Sequence, residues 1–99
     1  MNLEEETQKI KELVGEDCGL GGSIKFILGE DGVIYLDASV VPNIISNENI
    51  DADCVISLSS DDFLQMRNGD IDPTTAFMMG KLKIEGNMSL AMKLQGLMG

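Results

Sequence analysis

The hydrophobic period of this chain changes after Gly15, and that change constrains the fold more than any other feature. Before it, Leu3, Ile10, Leu13 and Val14 recur at helical spacing, and Asn2 with Glu5 fits a capping pattern. Glu4, Glu5 and Glu6 suit the positive end of a helix dipole, so residues 3–14 are predicted helical. From Ser23 onward the period is two. Ile24, Phe26 and Leu28 share one face, Ile34 and Leu36 follow the turn Glu30-Asp31-Gly32, and the two runs read as a hairpin. Cys54, Ile56 and Leu58 alternate in the same way, as do Leu82 and Ile84 with lysines between and beside them. Alternation buries one face of a strand and exposes the other, so the chain must build a sheet with a covered face. A further extended piece is expected at Ser39 to Val41, stopped by Pro42, with residues 43–52 an exposed polar loop.

Helices punctuate the strands. Ser60-Asp61-Asp62 is a helix start and Asn68-Gly69 a stop, which places a short helix over Phe63 to Arg67. Asp72-Pro73 opens another, with proline at the first helical position and Gly80 just past the end. Asn87 caps a last helix running through Met98. Gly19-Leu20-Gly21-Gly22 is a connector that lacks the lysine and hydroxyl of a phosphate loop. The order is helix, strands, helices, strand, helix, which is an α+β sheet with helices packed on it. A chain of 99 residues buries one core, so a single domain over 1–99 is expected.

Composition removes several classes of function. No apolar run approaches the roughly 20 residues of a membrane span, and the opening residues lack the basic-then-apolar pattern of an export signal. A cytoplasmic protein is therefore expected. Cys18 and Cys54 are far apart and are read as two free thiols, Cys54 as a small core residue. With no histidine and no Cys-x-x-Cys pair, neither a metal site nor a cofactor is expected. Asp70-x-Asp72 lacks the remaining ligands of a calcium loop. The net charge of -10 argues against nucleic-acid binding, which needs clustered cations. That charge is uneven. Residues 1–72 hold sixteen acids against four bases, -12, whereas residues 73–99 hold Glu85 against Lys81, Lys83 and Lys93, +2. Any contact with an anionic membrane is expected through the C-terminal region; the alternative is ordinary solubilising surface charge.

Catalysis also lacks its usual agents. Histidine is the common group that titrates near neutrality, and the paired acids Asp61/Asp62 and Asp70/Asp72 are accounted for by helix starts and turns. The chain is read as not an enzyme. What stands out is methionine: of seven, all but Met1 lie from Met66 onward. In the last helix, one stripe is Leu90, Leu94, Leu97 and Met98, and a second is Met88, Ala91 and Met92. A helix resting on one sheet needs only a modest apolar stripe, so the surplus must meet another helix, a partner chain or a ligand. Two functional readings follow: a monomeric domain that holds an apolar ligand, or an interaction or dimerisation module using the apolar C-terminal helix.

The run from Asp72 to Leu94, Asp-Pro-Thr-Thr-Ala-Phe-Met-Met-Gly-Lys-Leu-Lys-Ile-Glu-Gly-Asn-Met-Ser-Leu-Ala-Met-Lys-Leu, closely resembles the C-terminal signature of sterol carrier protein type 2 domains. Asp51 to Leu58, followed by Asp62-Phe63-Leu64 and Asn68-Gly69, is similar to the strand and helix that precede it in that family. The resemblance implies a five-stranded, mostly antiparallel sheet covered by helices, with Ser39 to Val41 as third strand. It also implies a hydrophobic tunnel that takes fatty acids, acyl-CoA, phospholipids or sterols. The tunnel lining carried over is Phe77, Met78, Met88, Ala91, Met92 and Leu94, supported by Phe63 and Phe26. Met79 stands where relatives often carry a glutamine, and the chain ends Leu97-Met98-Gly99 without a peroxisomal Ser-Lys-Leu address.

Overall fold

The alternating runs assemble into one five-stranded sheet in the computed structural model, which describes residues 2–16 and 19–98. Its strands are β1 (Ser23–Leu28), β2 (Val33–Asp37), β3 (Ile44–Ser46), β4 (Cys54–Leu58) and β5 (Leu82–Gly86), in the order β3-β2-β1-β4-β5. Every neighbouring pair is antiparallel except β1 with β4, which is parallel. The register carries one apolar row across four strands: Phe26 stands opposite Ile34 on one side and Ile56 on the other, and Ile56 stands opposite Ile84. A second row runs Ile45, Leu36, Ile24, Cys54, so that period-two alternation delivers a continuous apolar face.

Four helices bury that face. They are α1 (Leu3–Val14), α2 (Ser60–Asn68), α3 (Pro73–Met78) and α4 (Met88–Met98). Ile10 and Val14 of α1, Phe63 and Met66 of α2, Ala76 of α3, and Leu90 and Leu94 of α4 join the sheet residues in a single core. The caps act as the sequence requires. Asn2 Oδ1 accepts from the Glu5 N–H at 3.1 Å, Ser59 Oγ accepts from the Asp62 N–H at 3.1 Å, and Asp72 Oδ1 accepts from the Thr75 N–H at 2.8 Å. Glu6 is buried on α1 and pairs with the guanidinium of Arg67 on α2, one of whose Nη atoms donates to Glu6 Oε1 at 3.1 Å. Two charges removed from water together in this way are tolerable where either alone would not be.

The opposite face is covered by chain rather than by helix. Because β3 lies at one edge and β4 beyond β1, the connection between them has to cross β2 and β1. Lys25, on the face away from Ile24 and Phe26, is buried and donates from Nζ to Asn49 Oδ1 at 2.9 Å, which places that connection on the outer face.

Two expectations need correction. The third strand is Ile44–Ser46, not Ser39 to Val41, and part of the expected polar loop is therefore strand. Asp37 ends β2 by accepting from the Ser39 N–H at 3.0 Å, which bends residues 39–42 away before the chain returns with Ile45 opposite Leu36. The pair Val40-Val41 resembles a strand, but both side chains are exposed. The second helix is also longer than Phe63 to Arg67, because capping begins at Ser59 and ends at Gly69 in a left-handed conformation, φ 82. Cys18 and the side chains of Leu97 and Met98 lie outside the described residues.

Candidate functional site

The surplus apolar surface of α4 meets open space rather than protein. At helical spacing Leu90 and Leu94 turn onto the sheet, 5% and 2% exposed, while Met88, Ala91 and Met92 turn sideways. There they border a cavity of about 190 Å³. Its floor is Ile56 of β4 with Leu82 and Ile84 of β5, so the end of the apolar row across the sheet is left uncovered. Thr74 and Phe77 of α3 form the facing wall, Met66 of α2 closes the inner end, and Leu94 completes the α4 side. Met92 is 70% exposed while it borders the cavity, so the space opens to solvent beside that side chain.

Of the eight residues expected to line a tunnel, Phe77, Met88, Ala91, Met92 and Leu94 are brought together here. The other three are not. Phe26 and Phe63 are fully buried in the core, stacked edge to face with ring centroids 5.5 Å apart, and neither borders the cavity. Met78 is 80% exposed on the outside of α3, one residue beyond the helix face that carries Phe77. Sequence reasoning missed Ile56, Met66, Thr74, Leu82 and Ile84. Their alternation on β4 and β5 was visible; what it could not show is that no helix covers this end of the row.

The chemistry of the lining is almost wholly that of hydrocarbon and thioether. Thr74 supplies its one hydroxyl, and none of the lining residues titrates. Cys54 of β4 is buried in the core, does not border the cavity, and its thiol is pushed above its ordinary range by that burial. Among the described residues no group of three His, Cys, Asp or Glu could hold a metal ion. A second cleft, between the end of α1 and Pro42-Asn43, has Gln8, Lys11, Glu12 and Glu16 on its walls. No helix is long and apolar enough to cross a membrane among the described residues.

A mixed five-stranded sheet with helices on one face and an apolar recess beneath the last helix defines an α+β domain with an apolar pocket. Residues 5–99 match the model of the SCP-2 sterol transfer family, and the chain belongs to that family. Hydroxysteroid dehydrogenase-like protein 2 of Homo sapiens is 41% identical over 102 residues, an alignment that spans 97% of this chain and 24% of that protein. The chain thus covers only about a quarter of that relative's length. The apo form of sterol carrier protein 2 from Yarrowia lipolytica superposes with a TM-score of 0.70 at 27% identity, over 98% of this chain and 79% of the other. A palmitated sterol carrier protein 2-like 2 from Aedes aegypti has the same fold, TM-score 0.71 at 22% identity, over 99% of this chain and 95% of its own.

Proposed function

We propose that this domain binds single lipid molecules by their hydrocarbon part in the recess between β5, α3 and α4, and carries them without chemical change. The observation that carries the reading is the composition of that recess: nine apolar side chains and one hydroxyl around about 190 Å³. Such a surface offers a polar group a single hydroxyl and otherwise offers burial to methylenes, each worth about 0.8 kcal/mol. Fatty acids, acyl-CoA and phospholipids fit this rule through their chains, and sterols through their rings. The family membership and the palmitated relative support a lipid as the guest.

The recess is smaller than the about 300–1,000 Å³ typical of sites that enclose a whole ligand. A long chain therefore enters only if Met66, Met88 and Met92 re-orient, which their unbranched, polarizable side chains do at low cost. Variable volume favours broad selectivity: the length of the hydrocarbon matters, and the head group remains outside. The lining holds no residue that titrates, so its one hydroxyl, that of Thr74, has no base among the lining residues to activate it, which supports carriage rather than catalysis by this domain.

Native mass spectrometry of the chain after mild extraction tests the reading. A co-purified lipid, or uptake of a fluorescent fatty acid that unlabelled fatty acid displaces, is the expected result. An obligate dimer free of lipid, with no uptake of the probe, would replace it with the interaction-module reading.

A further inference from the structure

The free edge of β5 is, we infer, the site at which a second copy of this chain adds itself antiparallel, joining two sheets across a two-fold axis at Ile84. The sheet has two edges, β3 and β5. β3 is only three residues long, and Asn47, just beyond it, turns back to donate from Nδ2 to the Val33 carbonyl at 2.8 Å. β5 is five residues long, and among the described residues no backbone group outside β4 bonds to Leu82–Gly86. Which of its groups face outward follows from the ladder, because antiparallel pairs alternate between bonded and non-bonded. The Asn87 N–H donates to the Asp53 carbonyl at 2.8 Å, so Glu85 with Val55 and Lys83 with Ser57 are the bonded pairs. The N–H and C=O groups of Leu82, Ile84 and Gly86 therefore point away from β4. Such a row of open donors and acceptors is a template for another strand.

Charge selects both the occupant and the register. Lys83 and Glu85 are exposed, alternate with Ile84, and so share the face of β5 away from the core. In a copy paired about Ile84, Lys83 stands opposite Glu85 of the second copy, Glu85 opposite its Lys83, and Ile84 opposite its Ile84. The open groups of Leu82 and Gly86 then meet each other, and the apolar row Phe26, Ile56, Ile84 continues across the axis. Centring the pair on Lys83 instead would set lysine against lysine, and centring it on Glu85 would set acid against acid. Opposite charges across a strand pair support it and like charges oppose it, so one register is favoured. An edge that avoids its own kind carries charge of one sign, commonly lysine; here the signs alternate about Ile84, and the partner that fits them is this same sequence. Two chains of net charge -10 repel each other at a distance, but β5 lies in the segment 73–99, whose one acid faces three lysines in the tally. The copies thus meet where that repulsion is weakest. Neither Lys83 nor Glu85 borders the recess, so the inference stands apart from the lipid-binding reading.

Sedimentation velocity of the full chain over a concentration series reaching the millimolar range provides the test. The parent should pass from monomer to dimer as concentration rises. Lys83→Glu and Glu85→Lys each place like charges opposite one another twice in the dimer, and each should weaken self-association by roughly tenfold. The first makes the chain more acidic and the second less so, which separates the local pairing from overall repulsion. The double variant Lys83→Glu, Glu85→Lys restores both oppositions and should dimerise as the parent does, and the two single variants mixed together should form a heterodimer. Hydrogen exchange at low and high concentration should slow at the amides of Leu82, Ile84 and Gly86, while those of Lys83 and Glu85, already bonded to β4, should not change. Circular dichroism should match the parent in every variant. A parent that stays monomeric throughout, a dimer indifferent to both charge reversals, or a double variant that fails to recover would each overturn the β5 interface.

Discussion

Gly86 lies directly against the carbonyl of Asp53: a Cβ on Gly86 would run into the Asp53 carbonyl oxygen, and the glycine holds a φ of 89 that other residues rarely adopt. The contact is where β5 ends and α4 departs. The Asn87 N–H donates to that same carbonyl at 2.8 Å, while Asp53 donates from its N–H to Ser23 Oγ at 2.9 Å and accepts the Ser23 N–H on Oδ2 at 3.2 Å. One residue thus ties the start of β1, the start of β4 and the root of the helix that walls the cavity. Gly86→Ala should cost about 1–3 kcal/mol from backbone strain, with the steric conflict added. Urea denaturation measures the loss, and a variant as stable as the parent would mean that β5 can end elsewhere.

Asp72 gives the fold a defined acid sensitivity. Its carboxylate accepts from the Thr75 N–H and from Thr75 Oγ1, both at 2.8 Å, and these bonds, the backbone one foremost, hold its pKa below the ordinary 3.8. A depressed folded-state pKa means that the ionised form is preferred in the folded chain. Its contribution is complete above the ordinary value and disappears as pH falls through the lowered one. Asn caps a helix as well as Asp but does not titrate. Thermal melts should therefore show Asp72→Asn and the parent differing by a constant amount from neutrality down to about pH 4, and the difference shifting in favour of Asn below it. Parallel curves through the acid range would mean the cap is not formed in solution.

Most of this architecture was legible in the residues because alternation and capping are local signals. Ile24, Phe26 and Leu28 announce β1, and Ser60-Asp61-Asp62, Asp72 and Asn87 announce their helices, by rules that act within a few positions. The third strand was misplaced for the converse reason: Val40-Val41 has strand character, but pairing with β2 is decided by the Asp37–Ser39 bend, a geometric event that no periodicity encodes. The site divided in the same way. The stripe Met88, Ala91, Met92 was readable on α4, whereas Ile56, Leu82 and Ile84 became its floor only because of how far the helices extend over the sheet. Whether an apolar strand residue faces a helix or a void depends on coverage, which is a property of the assembled layers.

The separation between core and recess predicts two opposite mutant phenotypes. Phe63 is fully buried and meets the edge of Phe26, so Phe63→Ala should cost about 3–5 kcal/mol of stability through the cavity it leaves. Met92 is mostly exposed, and Met92→Gln should change stability by less than about 0.5 kcal/mol. Its amide would nonetheless oppose hydrocarbon at the cavity mouth, at a cost of about 1–3 kcal/mol in binding, or roughly five- to 150-fold in affinity for a fatty acid. Chemical denaturation and fluorescent fatty-acid titration on both variants check the pair. A Met92→Gln variant that binds as the parent does would place the ligand elsewhere.

Chain length offers the most direct reading of the recess itself. If hydrocarbon burial supplies the binding energy, each added methylene that enters contributes about 0.8 kcal/mol, which is roughly a fourfold gain in affinity per carbon. The gain should stop once the recess, enlarged by movement of Met66, Met88 and Met92, is full, and longer chains should bind no better. Replacing Leu94, 2% exposed and shared between core and recess, with Ala removes packing worth about 2–5 kcal/mol of stability but enlarges the space. In a folded Leu94→Ala variant the plateau should therefore move to longer chains. Displacement titrations with a series of saturated fatty acids, and with the corresponding alcohols to vary the head group, measure both effects. A strict dependence on the head group with no trend in length would show that polar contacts outside the recess, and not its apolar walls, hold the ligand.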